Sequence, residues 1–198
     1  ALQEPFQELD QVYIQYEGSI FLNGVQVKFN NTKDAENNGI AIIHQELNLV
    51  PQLSIVENIF LGREIVNAYG ILDNASMTSK VIDLLSSLNL QINPNAKIAE
   101  IKVGHQQIVE IAKALYTDAN VIIMDEPTSA ISDKEVGNLF SIIKKLKTQG
   151  KTIAYISHKF NELFEIADNY VILKDGSSIE QGLMSATTKE NLIEKMTG

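Results

Sequence analysis

Val121-Ile122-Ile123-Met124-Asp125-Glu126-Pro127-Thr128-Ser129-Ala130 opens with four consecutive apolar residues and turns abruptly into two carboxylates and a proline. Apolar residues in a row, without alternation, form a strand buried on both faces, as in parallel sheets. Asp125 and Glu126 then stand at its C-terminal edge, where ligands sit in open α/β sheets. An aspartate there can hold Mg²⁺ through water, and a glutamate can orient or deprotonate an attacking water. Pro127 ends the strand and turns the chain. A bare Asp-Glu pair more often just caps a strand, so the flanking segments decide its meaning.

Downstream, Val136, Leu139, Phe140, Ile143 and Leu146 share one helix face, and Gly150 lies past its end. Thr152–Ile156 is predicted as a second strand, Phe160–Ile166 as a short helix and Tyr170–Leu173 as a third strand. Asp175-Gly176 then turns the chain into another strand, and Lys189–Met196 closes as a helix. Upstream, Gly18–Phe29 reads as a hairpin turning at Asn23-Gly24, and Ile40–Ile43 as a short buried strand. From Ser54 to about Leu115 the apolar spacing is mostly helical, as in Val81, Leu84, Leu85 and Leu88, with a break at Asn93-Pro94-Asn95. Strand-helix-strand alternation of this kind predicts an α/β fold whose mainly parallel core sheet is covered on both faces. An antiparallel β piece lies near the N-terminus and a helical subdomain spans about 50–118, all within one domain over 1–198.

Composition narrows the function classes. The chain has 198 residues and a net charge of −9, from 25 acidic and 16 basic residues. A duplex binder needs lysines and arginines to displace counterions from phosphates, so nucleic acid is excluded as a partner. Cysteine is absent, which rules out disulfides and thiolate metal sites. No window holds the roughly 20 apolar residues of a membrane span, and no signal segment opens the sequence.

Three further segments carry candidate chemistry. Ile101-Lys102-Val103-Gly104-His105-Gln106-Gln107 leads into an amphipathic helix with Ile108, Ile111, Ala112 and Leu115 inward. A glycine at a helix mouth lets backbone N–H groups approach a phosphate. Ile153–His158 is a strand ending in a histidine, a side chain able to hydrogen-bond a γ-phosphate. Ile42-Ile43-His44-Gln45 is a strand ending in a glutamine, whose amide oxygen suits Mg²⁺ or water. Singly, these read as a helix start, a structural histidine and a loop glutamine.

Their order changes the balance. Gln45 after a strand, Lys102–Gln106 at a helix start, Asp125-Glu126 after a strand and His158 after a strand resemble the nucleotide-binding domain of an ABC ATPase. In that resemblance Gln45 matches the Q-loop, and Lys102, Val103, Gly104, His105 and Gln106 match the signature. Asp125 and Glu126 match the Walker B pair, and His158 the switch histidine. The segment His44–Glu64 and the run Val109–Leu115 are similar to the ribose, galactose and xylose importers of bacteria. The resemblance implies ATP and Mg²⁺ as cofactors, with Asp125 and Gln45 serving the metal. It also implies Glu126 and His158 as catalytic, and Gln45, Lys102–Gln106 and Asp125 as nucleotide contacts. Implied partners are transmembrane permease subunits, which would seat a short helix near Gln45–Glu64, and a second nucleotide-binding domain, in another chain or as a homodimer. The implied place is the cytoplasmic face of the bacterial inner membrane. Chromosome-structure ATPases with the same core carry a long coiled coil between these motifs; here only about 60 residues, without sustained heptads, separate Gln45 from Gly104.

Three departures qualify the resemblance. No Gly-x-x-x-x-Gly-Lys-Ser/Thr loop is present; Glu4–Val12 stands where the helix after it would run. Gly150-Lys151-Thr152 is a decoy, because its lysine leads into a strand. The family's usual signature is Leu-Ser-Gly-Gly-Gln, whereas here Lys102 replaces the serine, Val103 the first glycine and His105 the glutamine. After Glu126, Ile131-Ser132 stands for Leu-Asp, and Asp133 is expected to cap the next helix. The expectation is a truncated, partial domain that keeps the signature and hydrolytic carboxylates but lacks its own phosphate grip and is inactive alone. The alternative is a nucleotide-free module docking on a permease or an intact ATPase partner.

Overall fold

The computed structural model describes residues 18–197; the helix expected over Glu4–Val12 lies outside them. In chain order the elements are β1 (Ile20–Leu22), β2 (Val25–Val27), α1 (Thr32–Asn37), β3 (Ile40–Ile43), α2 (Ile55–Phe60), α3 (Asn74–Ser87) and α4 (Val103–Tyr116). Then follow β4 (Val121–Asp125), α5 (Asp133–Thr148), β5 (Thr152–Ile156), α6 (Phe160–Ile166), β6 (Asn169–Lys174), β7 (Ser177–Leu183) and α7 (Lys189–Thr197). Two compact units divide the chain: Gly39–Ser157, and the residues up to Asn38 together with those from His158 onward.

The first unit is built on a parallel sheet in the order β3-β4-β5. Ile40 pairs with Val121 and Ile43 with Met124; Val121 pairs with Thr152 and Asp125 with Ile156. The central strand is the uninterrupted apolar run, and Ile122 and Met124 are fully buried. Each such side chain contributes about 1.5–3 kcal/mol by leaving water. α4 packs on this sheet and is buried nearly all round, through Gly104, Gln107–Ala112 and Ala114. α5 buries Leu139, Phe140, Ile142, Ile143 and Leu146, and the Phe140 ring meets Tyr155 of β5 edge-on at 6.3 Å.

The stretch expected to be mostly helical from Ser54 to Leu115 is interrupted twice. Residues 61–73 form a turned loop with a bridge between Val66 and Leu72. Asn67 Oδ1 accepts from the N–H groups of Tyr69 and Ile71, and Gly62 and Gly70 take positive φ. An asparagine satisfying backbone donors two and four residues on competes with the helix, overriding the apolar spacing. The second break surrounds Asn93-Pro94-Asn95, as its composition predicts.

In the second unit, β1 and β2 form an antiparallel hairpin, with Asn23 and Gly24 at φ 51° and 78°. Two consecutive positive φ values make the type I′ turn that Asn-Gly favours. Tyr170–Leu173 is not a further parallel strand: β6 pairs antiparallel with β7. Asp175 and Gly176, again both at positive φ, return the chain directly. Ile172 is buried while its neighbour Val171 is exposed, the alternation of a strand wet on one face. Ile172, Met184 and Leu192 form the local core with Phe160 and Leu163 of α6 beside them. Among the described residues, no helix is long and apolar enough to cross a membrane.

Candidate functional site

Parallel strands place their C-terminal ends along one edge, and that edge of β3 and β4 carries the expected groups. His44 and Gln45 leave β3 one and two residues after the Ile43–Met124 pair, and Asp125 is the last residue of β4. Gln45 is exposed there. Glu126 follows with φ +46°, a left-handed turn rare for a side chain of its size. Its N–H donates to Ile156 O at 3.0 Å on the neighbouring strand, and its carbonyl accepts from Ser129 N–H at 3.1 Å. Such backbone strain persists only where surrounding bonds hold it, and it concentrates at functional sites.

The Asp125 carboxyl is distinctive. Its Oδ1 is buried and has no hydrogen-bond partner among the described residues. Burial and then the adjacent Glu126 charge push its proton affinity above the ordinary aspartate range, while His44 pulls it back. A buried oxygen without a donor is costly by itself and is matched by a cation. The residues therefore fit Mg²⁺: one orphaned carboxylate oxygen from Asp125, with the Gln45 amide on the adjoining strand exit.

The signature segment forms a second cluster, at the N-terminus of α4. Lys102 is the N-cap and Val103 the first helical residue, both exposed, with His105 half-buried. Gln106 is committed to local structure, its Nε2 donating to the carbonyls of Ile98 and Ile101, both at 3.0 Å. Gly104 is pressed against the Glu135 carboxyl so closely that a Cβ would collide with it. Glu135 is held by Ser132, which donates to its Oε2 from N–H at 2.9 Å and from Oγ at 2.7 Å. These bonds, then the charges of Lys102 and His105, hold its carboxyl below the usual range. Thus Ser132, not Asp133, caps α5; Asp133 is the first helical residue. Ser132 and Glu135 are spaced as a capping box, a pattern present in the sequence and passed over.

His158 follows β5 by two residues, is exposed, and opens the second unit. Lys151 of the decoy sits at the opposite edge of the sheet, before β5, where it donates to Asn120 Oδ1 at 3.0 Å and pairs with Asp118 at 3.4 Å. Two groups near Gln45 escape the motif reading. Lys113 of α4 donates to the carbonyl of Asn48, three residues beyond Gln45, and Glu110, one turn earlier in the helix, is buried, which pushes its proton affinity up. A carboxylate inside the apolar run Ile108–Ala112 of a helix buried on all sides was their available signal.

A family model described as ABC transporter matches residues 6–129. The ribose import ATP-binding protein RbsA of Caldanaerobacter subterraneus subsp. tengcongensis is 46% identical over 187 residues, which are 94% of this chain and 38% of that protein. The ADP-form crystal structure of MJ1267, an ATP-binding cassette of an ABC transporter, superposes with a TM-score of 0.80 at 18% identity, covering 99% of this chain and 83% of that one. A dimeric post-hydrolysis structure of the ATP-binding cassette MJ0796, bound to ADP and Pi, gives 0.73 at 21% identity, covering 92% and 80%. At those identities the structures speak to fold alone. Sheet order, the Asp125-Glu126 edge and the family match agree: the chain belongs to the ABC transporter family, with an ABC ATPase fold.

Proposed function

We infer that the chain supplies hydrolytic and signature elements to an ATP-driven importer of a monosaccharide, working at the cytoplasmic face of a bacterial inner membrane. The observation that carries this is the orphaned, buried Asp125 oxygen beside the strained Glu126 on a sheet edge also bearing Gln45. The identity to a ribose import ATP-binding protein supports the substrate class.

In this reading Asp125 and Gln45 hold Mg²⁺, which when bound neutralises the phosphate oxygens and draws charge from the bond being broken. Glu126 lies next to Asp125 with its backbone held to Ile156, so its Cα is fixed at the strand end. It orients a water and accepts its proton. His158 donates to the terminal phosphate. Lys102, Val103, Gly104 and His105 face the nucleotide of a second nucleotide-binding domain, and Gln106 holds that loop in shape. Lys102 replaces a hydroxyl donor with a point charge, which attracts a phosphate but positions it less sharply. The helical segment over about 50–118 and the sheet belong to one partial domain, and permease subunits engage the loop Gln45–Glu64.

A second reading is a nucleotide-free module docked on a permease or an intact ATPase, in which Lys102, Val103 and His105, at signature positions, contact no nucleotide. Sugar uptake separates the two. Proteoliposomes would hold a monosaccharide permease, this chain and a second cassette that has the phosphate loop. Glu126→Gln is expected to lower ATP-dependent uptake by about 10²-fold or more, the usual contribution of a general base. Uptake indifferent to Glu126→Gln and Asp125→Asn favours the docking module.

A further inference from the structure

Between β3 and α2 the chain has no regular structure, yet its backbone groups are taken up one after another. Lys113 Nζ of α4 donates to the Asn48 carbonyl at 3.0 Å. Val50 is held at both groups by Asn58 of α2: its N–H donates to Oδ1 at 2.7 Å, and its carbonyl accepts from Nδ2 at 3.1 Å. The same Nδ2 meets the carbonyls of Ser54 at 2.9 Å and Leu53 at 3.3 Å. Asn58 is 1% exposed, and an amide so buried among Ile55, Val56, Ile59 and Phe60 is costly unless its bonds are made.

The Leu53 carbonyl has a second donor. Residues 94–99 run as a strap beside the loop: Ile98 N–H donates to Leu53 O at 3.1 Å and Ala99 N–H to Pro51 O at 3.0 Å. The N–H groups of Ile55 and Val56 donate back to the carbonyls of Ala96 and Pro94, both at 3.1 Å. The strap is in turn held by α4, where Gln106 Nε2 donates to the carbonyls of Ile98 and Ile101, both at 3.0 Å. A hydrogen-bonded path therefore runs from Gln106 through Ile98 and the Leu53 carbonyl to Asn58 and Val50, all inside the unit Gly39–Ser157.

We propose that Asn58 and Gln106 are positioning residues for the hydrolytic site: with the strap 94–99 between them, they fix the loop after Gln45 relative to the signature helix. The proposal rests on the reading of Gln45 and the signature given above. Asn48 and Val50 are anchored three and five residues beyond Gln45, which leaves only a short tether between the end of β3 and the first anchor. The consequence is mechanical. A shift of α4 carries the loop with it, directly through Lys113 and indirectly through Gln106, the strap and Asn58.

Amide hydrogen exchange by NMR tests the path without nucleotide. Gln106 is half-buried, so Gln106→Met removes both bonds to the strap while keeping the length of the side chain. It is expected to speed exchange about threefold or more at Ala99, whose amide lies on the freed Ile98 peptide, and at Val50, whose N–H reports the Asn58 bond, with β4 unchanged. Gln106→Arg, which again offers N–H donors, should bring both back to the wild-type rates. In the uptake assay Gln106→Met and Asn58→Ala should each cut turnover at saturating sugar with KM unchanged. As two links of one path, the double variant should lose no more than the worse single one. Unchanged exchange at Val50 in Gln106→Met overturns the proposal even if Ala99 quickens, because the path then ends at the strap. Acceleration shared equally with β4 overturns it too, as do losses of turnover that multiply in the double variant. If Asn58→Ala does not fold, the Val50 amide in Gln106→Met and Gln106→Arg decides. If the wild-type chain supports no uptake, the nucleotide reading fails instead, and the exchange arm still decides whether the path exists.

Discussion

The parallel sheet of Gly39–Ser157 and the β6–β7 hairpin treat their polar groups differently. β4 is covered on both faces, and its last residue is a carboxyl with an unmatched buried oxygen. β6 alternates, and its polar groups are matched: Tyr170 Oη donates to Glu180 Oε1 at 2.6 Å, and Lys195 pairs with Glu180 at 3.2 Å. One region leaves a polar group unmatched at its edge, and the other completes its contacts internally. Unmatched groups are costly in the free protein and are therefore where a ligand is expected.

That contrast can be broken by mutation. The largest loss is expected for Met124→Ala in the centre of β4, about 3 kcal/mol by urea unfolding, because a fully buried side chain leaves a cavity. Asn58→Ala comes next, at about 2 kcal/mol, since it strands the N–H and carbonyl of Val50. Ser132→Ala should cost about 1 kcal/mol by undoing the α5 cap, and it also frees Glu135 beside Gly104. Val171→Ala, on the wet face of the hairpin, should fall within about 0.5 kcal/mol of wild type. A large loss at Val171 would mean that the exposed face of β6 is covered in solution.

Asp125→Asn sharpens the comparison by sign rather than size. Asp125 and Glu110 are held above their ordinary proton affinities in the folded chain. The fold therefore binds their protons more tightly than the unfolded chain does. Stability is lost as pH rises from the ordinary carboxylate range through the raised folded values. Asp125→Asn should raise Tm at neutral pH and flatten that fall, while removing the proposed metal ligand. Glu57 and Glu135, held low by Ser54 and Ser132, act oppositely and lose their contribution in acid.

The sheet was legible because β3 and β4 are unbroken apolar runs that end in or just before polar groups, with the largely apolar β5 following one helix later. The Asp125-Glu126 edge was legible because residue type and strand end coincide. The turn after β6 was legible in Asp175-Gly176, and its tightness is what makes β6 pair antiparallel with β7. The loop at 61–73 was hidden because Asn67 stabilises a turn that apolar spacing cannot register. Glu110 and Lys113 were seen as part of a family-like run but given no role. Lys113 meets the Asn48 carbonyl, 65 residues earlier in the chain, a contact that no local pattern signals.

Paramagnetic broadening of backbone NMR signals by Mn²⁺-ATP tests the hydrolytic edge most directly, because it senses binding far too weak for calorimetry. Broadening is expected to centre on Gln45, Asp125 and Glu126 and to vanish in Asp125→Asn. No broadening at millimolar Mn²⁺-ATP, or broadening centred on Gly150–Thr152 at the opposite edge of the sheet, would contradict the assignment.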